Sequence, residues 1–112
     1  MLLVKKQSLL FLICLFPFIS VFSQDGELDY DNCTFDGISL YGKVQIVESF
    51  PDIRVEIVDA FPDLSVQKVN AFPDECGEWM FVDAFPDFRI QIVKNFPDVR
   101  IQYVNAFPGM EE

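Results

Sequence analysis

The sequence predicts an all-β domain made of tandem 11-residue repeats, and two observations lead to this. Five Phe-Pro-Asp triplets and one Phe-Pro-Gly triplet follow one another at intervals of 11 residues, apart from one interval of 13. Between the triplets apolar and polar residues alternate, as in Ile-Arg-Val-Glu-Ile at 53–57, which is the period of a strand and not of a helix. Each repeat is therefore predicted to form one strand of about six residues and one corner, all within a single domain.

The first 23 residues are predicted to be a secretory signal peptide. Two lysines near the N-terminus precede an apolar run from Leu9 to Phe22, and an acidic stretch follows. A basic end, a short apolar segment and a small residue before a polar switch are typical of such peptides, and they place the cleavage between Ser23 and Gln24. The alternative is a retained membrane anchor. The run has about 14 residues, fewer than the roughly 20 of a spanning helix, so we expect cleavage and no stable membrane insertion after it. The protein is then exported, to the periplasm or outside the cell.

Residues 24–39 are an acidic N-terminal segment, and residues 40–112 are the repeat domain. Cleavage after Ser23 would leave all 18 acidic residues and six of the eight basic ones. Such an excess of negative charge repels phosphate backbones, so nucleic acid is not expected as a partner. The acidic segment lacks the ligand spacing of an EF-hand, and we expect it to be solvated and only partly ordered.

The corners are predicted from the chemistry of the triplet. Proline fixes φ and lacks an amide hydrogen, so it is unsuited to the interior of a central strand. The aspartate is expected to accept hydrogen bonds from local backbone and to favour a turn. The phenylalanine is expected to point inward and roof the turn. The corner residues are Phe50, Pro51, Asp52, Phe61, Pro62, Asp63, Phe72, Pro73, Asp74, Phe85, Pro86, Asp87, Phe96, Pro97, Asp98, Phe107 and Pro108.

Each strand has a predicted core face and a predicted outer face. The core would hold two apolar strand residues, one valine and the corner phenylalanine of each unit. Ile57 and Val58 are adjacent and both apolar, which predicts a bend or bulge before the corner. On the outer face one repeat position is basic and another is glutamine: Lys43, Arg54, Arg89 and Arg100, and Gln45, Gln67, Gln91 and Gln102. We interpret these residues as a solvated face with cross-strand pairs, and a flat binding face is the alternative.

The repeat that begins at Phe72 is two residues longer and contains cysteine, glycine and tryptophan. Cys76 and Cys33 are the two cysteines that remain after cleavage, and an even number in an exported chain favours a disulfide. On the chain-entropy model this bond stabilises the fold by about 4 kcal/mol. Two free buried thiols are the alternative. Trp79 occupies a core position of the repeat, whereas Met80 falls on the outer face.

The stretch from Leu40 to Gly109 resembles the septoil knot family. The matching features are the opening Tyr-Gly-Lys-Val at 41–44, the run of Val-x-x-Phe-Pro-Asp units and the central Gly-Glu-Trp at 77–79. The resemblance implies a small bacterial domain of tandem β repeats, intertwined as a seven-crossing torus knot and without an established activity. In such a winding, strands consecutive in sequence need not be neighbours, and the corner aspartates would be interleaved with arginines. Because the chain must thread, folding is expected to be slow.

The residue types favour a binding or structural role over catalysis, so we expect the protein not to be an enzyme. Histidine is absent, the hydroxyl residues have no evident base partner, and the acidic residues are too many to single out a pair. One carboxylate per corner falls short of the roughly six to eight oxygens of a calcium site, so we expect no metal and no cofactor. The predicted function is that of an exported, non-enzymatic domain with a structural or protein-interaction role and an unknown protein or envelope partner. The alternative is a carbohydrate- or calcium-binding envelope module.

Overall fold

The computed structural model describes residues 26–111, and the regular elements in this range are β-strands. The predicted signal peptide and its cleavage site lie outside the described residues. No helix in the described range is long and apolar enough to span a membrane. The strands are β1 (Leu28–Asp29), β2 (Thr34–Phe35), β3 (Ile38–Ser39), β4 (Gly42–Ile46), β5 (Ile53–Ile57), β6 (Leu64–Lys68), β7 (Glu78–Phe81), β8 (Phe88–Ile92), β9 (Val99–Tyr103) and β10 (Gly109–Met110).

Strands β4 to β9 form a closed parallel barrel. Their order around the barrel is β9, β5, β8, β4, β7, β6, and the pairing of β9 with β6 closes the ring. Strand β10 adds to β6 in the antiparallel direction. Among these described barrel strands, β6 and β7 are the one pair that is consecutive in sequence and also adjacent in space. The all-β prediction is confirmed, and so is the expectation that consecutive strands need not be neighbours.

Equivalent residues of the repeats lie at the same height along the barrel axis. In each of the six pairings, a residue does not face the equivalent residue of the neighbouring repeat, but the residue two positions before it. Val44, for example, is equivalent to Ile90 but faces Phe88, and Ile90 in turn faces Ile53. A stagger of constant sense around a closed sheet tilts the strands. It also brings equivalent positions into rings perpendicular to the axis. The inward positions therefore form three rings: a lower ring at the starts of the strands, a middle ring, and an upper ring at the ends of the strands.

The lower and middle rings are the core of the barrel. The middle ring consists of Val44, Val55, Val66, Trp79, Ile90 and Ile101, each at most 1% exposed. The lower ring consists of the buried residues Gly42, Ile53, Leu64, Gly77, Phe88 and Val99. Two strand residues per unit thus form the core, as predicted. The predicted contribution of the corner residues is wrong, because the valines that open the corners are only partly buried and the phenylalanines are exposed.

Two neighbouring glycines of the lower ring lie beneath the largest core side chain. Gly42 and Gly77 come from adjacent strands, and Trp79 follows Gly77 by two residues in the middle ring. The Trp79 ring meets Phe88 edge-on at a centroid distance of 5.6 Å. A Cβ at Gly77 would lie 2.4 Å from the Ser65 carbonyl oxygen, and the φ of Gly77 is +84°. A Cβ at Gly42 would lie 2.5 Å from the Asp87 carboxylate, so at both positions the close approach of another segment requires glycine.

The corners pass over strands that are remote in sequence. After β4, the Val47 N–H donates to the Ile90 carbonyl on one side of β8, and the Asp52 N–H donates to the Arg89 carbonyl on the other side. Residues 48–51 therefore cross the outer face of β8. The same arrangement takes corner 58–63 over β9, corner 82–87 over β4, corner 93–98 over β5 and corner 104–109 over β6. The chain is intertwined in this sense, and the seven-crossing knot itself stays a prediction.

The corner aspartates accept cross-strand hydrogen bonds, so the prediction of local ones is wrong. Asp52 Oδ2 accepts from the Arg89 N–H at 2.8 Å, while the Asp52 N–H donates to the Arg89 carbonyl. The aspartate thus takes the place of a bridge partner for a strand that the corner crosses. Asp63, Asp87 and Asp98 make the same pair of bonds with Arg100, Lys43 and Arg54. Asp74, in the longer repeat, instead donates its N–H to the Phe72 carbonyl.

This difference predicts unequal effects of one substitution at two corners. Asp52→Ala should lower the free energy of unfolding by about 1 to 2 kcal/mol, because it removes a carboxylate that a cross-strand backbone N–H uses. Asp74→Ala should cost less than about 0.5 kcal/mol, as for an exposed surface position. Urea denaturation of the two oxidised variants measures both values. Equal losses would contradict the bridging role.

Residues 26–39 of the acidic segment form a small sheet that closes the lower end of the barrel, so this part is more ordered than we expected. Strands β1 to β3 form an antiparallel sheet. Cys33 and Phe35 in it are each 7% exposed. The disulfide between Cys33 and Cys76, with a Cα–Cα distance of 6.0 Å, ties this sheet to the longer corner. The Leu40 carbonyl accepts hydrogen bonds from the Gly77 N–H and from the Trp79 indole N–H, each at 3.1 Å. The predicted disulfide is thereby confirmed, and with the buried apolar groups it explains why so acidic a segment is held.

Candidate functional site

Six exposed phenylalanines surround the barrel, and we call them the Phe belt. They are Phe50, Phe61, Phe72, Phe85, Phe96 and Phe107, with exposed fractions between 82% and 94%. The prediction that these rings point inward is wrong. Five of the six corners cross the outer face of a strand, so the barrel interior is not within reach of the rings. Because those corners cross five different strands, the belt encircles the barrel.

Every belt phenylalanine also has a left-handed backbone. Their φ angles lie between 53° and 59°. Glycine adopts this conformation freely and asparagine tolerates it, whereas for a bulky residue it costs roughly 1 to 2 kcal/mol. A ring that is about nine-tenths exposed regains little of this cost by burial. Strain and exposure thus coincide at the same six positions, a combination that is typical of functional sites.

A substitution in the belt should therefore leave the fold intact. Phe50→Asn should keep the free energy of unfolding unchanged or raise it by about 1 kcal/mol, because the left-handed strain is relieved and no core contact is lost. A roofing ring would instead cost about 3 to 5 kcal/mol on truncation. Urea denaturation monitored by far-UV circular dichroism distinguishes the two. A loss above about 2 kcal/mol would refute the exposed assignment.

The outer face of the strands holds the corners in place. The side-chain amide of Gln91, on β8, donates to the Glu48 carbonyl of the corner that crosses it, at 3.0 Å. Gln45 and Gln102 do the same for corners 82–87 and 58–63. The basic residues of this face are exposed, as predicted for a solvated face, whereas the glutamines bind the crossing corners and not one another. The alternative of a flat binding face is wrong, because the corners cross it. One cross-strand ion pair, Arg100 to Glu56 at 3.4 Å, agrees with the predicted charge pairs.

The upper ring forms a second exposed apolar surface, at the open end of the barrel. Ile46, Ile57 and Ile92 are 43–51% exposed although they follow the alternation of the core. Lys68 lies in the same ring, with its Nζ 4.2 Å from the centroid of Tyr103 and 6.0 Å from that of Phe81. Burial raises the pKa of the Tyr103 hydroxyl. The strands end at this ring, so the third apolar residue of each strand lines the opening and is not part of the closed core.

Within residues 26–111 no three or more His, Cys, Asp or Glu side chains are placed to hold a metal ion. In the acidic segment, hydrogen bonds from the side-chain amide and the backbone N–H of Asn32 lower the pKa of the Asp29 carboxyl group. The Asp31 N–H has a smaller effect in the same direction. Asp29 therefore acts as the acceptor of a local turn. We assign the candidate site to the Phe belt and not to these carboxylates.

Sequence reasoning placed the core better than the surface. Trp79 is fully buried, as predicted, and Met80 is half-buried where exposure was expected. The belt and the upper ring were both missed. A signal for the belt exists in the sequence, because each phenylalanine stands between small or polar residues and a proline, with no second apolar residue to pack on.

These features define a class of protein: a small all-β domain of tandem repeats, with a closed parallel barrel and an exposed aromatic belt. A sequence profile of the 7(1) septoil knot domain family matches residues 37–111, and the chain belongs to this family. It is also similar to an uncharacterized protein of Synechocystis sp., with 67% identity over 52 residues. The match covers 46% of this chain and 46% of that relative, so it spans about half the length of either protein.

Proposed function

We propose that this protein is an exported, non-enzymatic binding module that holds a protein partner through the Phe belt. The observation that carries the proposal is the combination of exposure and left-handed φ at all six belt positions. Aromatic side chains are enriched at protein interfaces, where a few buried rings supply most of the binding free energy. A contact with a partner protein would explain why exposed rings are kept at positions where they strain the backbone.

The way the corners are held supports this function. The corner aspartates and the glutamines beneath the corners fix the backbone on either side of the phenylalanines. Binding therefore orders only the ring itself, and a preorganised surface loses less entropy on association than a flexible loop. Because the belt encircles the barrel, it suits a partner that surrounds the domain or several partners at once.

Export is supported by the disulfide between Cys33 and Cys76. Structural disulfides persist in oxidising compartments and are rare in the cytosol. The envelope or the outside of the cell is thus the place where we expect the partner.

Comparative capture tests the proposal. The oxidised protein, a belt variant (Phe50→Asn, Phe85→Asn and Phe107→Asn) and a matched upper-ring variant (Ile46→Ser, Ile57→Ser and Ile92→Ser) are used as baits on envelope extract and culture medium of the native host. Quantitative mass spectrometry should find partners that the wild type and the upper-ring variant retain and the belt variant loses. Partners retained equally by a folded belt variant would refute the role of the belt, and turnover that survives purification would refute the non-enzymatic part.

The carbohydrate- or calcium-binding alternative keeps one supporting observation, the exposed aromatic rings, which also suit stacking on sugars. For calcium the geometry is unfavourable, because four of the five corner aspartates already accept a backbone N–H. Glycan-array binding that the belt variant loses, together with no captured protein, would favour the carbohydrate reading. A calcium-induced thermal shift that EDTA abolishes would favour the metal reading.

A further inference from the structure

One groove of the belt differs from its neighbours in charge. The groove has a volume of about 760 Å³ and lies between corner 58–63 and corner 93–98. Phe61 and Phe96, which are 94% and 90% exposed, are its walls. Lys94 and Arg100 line it together with Glu56, and Arg100 pairs with Glu56 at 3.4 Å. Two cations thus face one acid between two aromatic rings, in a chain whose formal net charge is −10 at pH 7.

The positive charge results from a departure from the repeat. Lys94 holds the first position after the valine that opens its corner, where the other crossing corners have Glu48, Asp59, Asp83 and Asn105. By the regular stagger of the barrel, the groove next to it, between corners 93–98 and 47–52, should carry Glu48 where this one carries Lys94. Among the crossing corners, this lysine is therefore the one cation at its position. A ligand of the groove between Phe61 and Phe96 should therefore carry a carboxylate beside an apolar side chain.

The chain itself displays that chemistry on the other side of the barrel. Phe85 is 90% exposed, and Asp83, two residues before it, is also exposed. Corner 82–87 crosses β4, whereas the groove lies over β5 and β9. In the order of the six strands around the barrel, β4 lies opposite β9. The Asp83 carbonyl accepts a hydrogen bond from the Gln45 side chain at 2.8 Å, which holds the backbone of this exposed corner. An acidic aromatic knob and a cationic aromatic groove thus lie on opposite sides of one molecule.

We propose that the groove between Phe61 and Phe96 binds the Phe85 corner of a second copy of this chain, with Asp83 facing Lys94 and Arg100, so that copies associate head to tail. This inference rests on the proposed function, because it uses the belt as the binding element and names its partner. A contact between two different patches does not close on itself as an isologous dimer does, and it generates an open chain or a ring of copies. At about 0.15 M salt the Debye length is about 8 Å, so repulsion between the distant acidic groups is screened while the direct ion pairs persist.

Sedimentation velocity of the full oxidised protein tests this contact. In 0.15 M NaCl the weight-average mass of the wild type should rise with concentration and pass that of a dimer. Lys94→Glu should weaken the association constant at least about tenfold, which is the effect of losing one close charge pair and adding a repulsive one. Asp83→Lys should weaken it similarly. The double variant Lys94→Glu with Asp83→Lys should restore association, because the pair is re-formed with its charges exchanged.

Matched controls separate the proposed contact from general electrostatics. Arg89→Glu makes the same charge change at an exposed residue of β8, outside both the groove and the Phe85 corner, and Glu48→Lys makes the change of Asp83→Lys at the corner of Phe50. Both should associate like the wild type or better, since neither touches the contact. A fold check by thermal unfolding accompanies each variant.

Several outcomes would overturn the inference. A protein that stays monomeric up to millimolar concentration would contradict the head-to-tail contact. So would a mass that stops at a dimer, or association that Lys94→Glu and Arg89→Glu weaken equally. A monomer whose belt still captures another protein would leave the proposed function standing, so the two failures are distinguishable. Loss of association in Phe50→Asn but not in Phe85→Asn would also contradict the assigned knob.

Discussion

Replacing Trp79 with alanine is expected to have the largest effect of any single substitution in the barrel. The side chain is fully buried, and it meets Phe81 and Phe88 edge-on at 6.1 Å and 5.6 Å. Its neighbours in the lower ring are two glycines, which have no side chains to fill the space that the indole leaves. Truncation of a buried tryptophan costs about 3 to 5 kcal/mol, and a site that does not collapse lies at the upper end.

A second loss adds to the cavity. The indole N–H donates to the Leu40 carbonyl, which is the junction between the barrel and the N-terminal sheet. The Leu40 carbonyl keeps its bond from the Gly77 N–H, so the loss is that of one ordinary hydrogen bond, about 0.5 to 1.5 kcal/mol. Since a small domain has a total stability of roughly 5 to 15 kcal/mol, Trp79→Ala should be largely unfolded at 37 °C.

Far-UV circular dichroism in a urea series measures this prediction, since the variant has no tryptophan for fluorescence. Met80→Ala serves as the matched control, because Met80 is the next residue on the same strand and only half-buried. It should cost about 1 kcal/mol. Trp79→Phe should fall between the two. If Trp79→Ala unfolded at the same urea concentration as Met80→Ala, the central packing role that we assign to Trp79 would be wrong.

Loss of the disulfide is the second large effect that we expect. Cys33→Ala with Cys76→Ala should lower the free energy of unfolding by about 4 kcal/mol, because the bond closes a loop with a sequence separation of 43 residues. The double substitution is preferable to one, since a single change leaves an unpaired thiol at the lower end of the barrel. The N-terminal sheet should separate first, because strands of two residues have little stability of their own.

Hydrogen exchange measured by mass spectrometry resolves that order. Peptides that cover residues 26–39 should lose protection in the variant before peptides that cover β5 and β8. The wild type under reducing conditions should behave like the double variant, which provides the control. If the oxidised wild type and the variant had equal stability, the disulfide would have no part in closing the barrel.

The predictions that agree with the structure are mostly those that depend on residues close in sequence. The alternation of apolar and polar residues is a local property, and it correctly predicted the strands and the two core residues of each. The disulfide of Cys76, in the longer repeat at Phe72, was also predicted correctly, because Cys33 is the one other cysteine beyond the predicted signal peptide. The expected interleaving of aspartate with basic residues is present, although the aspartates bind the backbone N–H groups of those residues.

The sequence by itself determined the repeat unit, the all-β class, the disulfide and the buried tryptophan, because each depends on residues within one unit or on pairing the two available cysteines. Tertiary structure alone decided where the corners go. A corner that crosses another strand turns its phenylalanine away from the core, and the identity of that strand depends on residues 37 or 44 positions away, such as Val44 with Phe88. The belt is exposed for this reason, and the small or polar residues beside each phenylalanine are its one sign within a repeat.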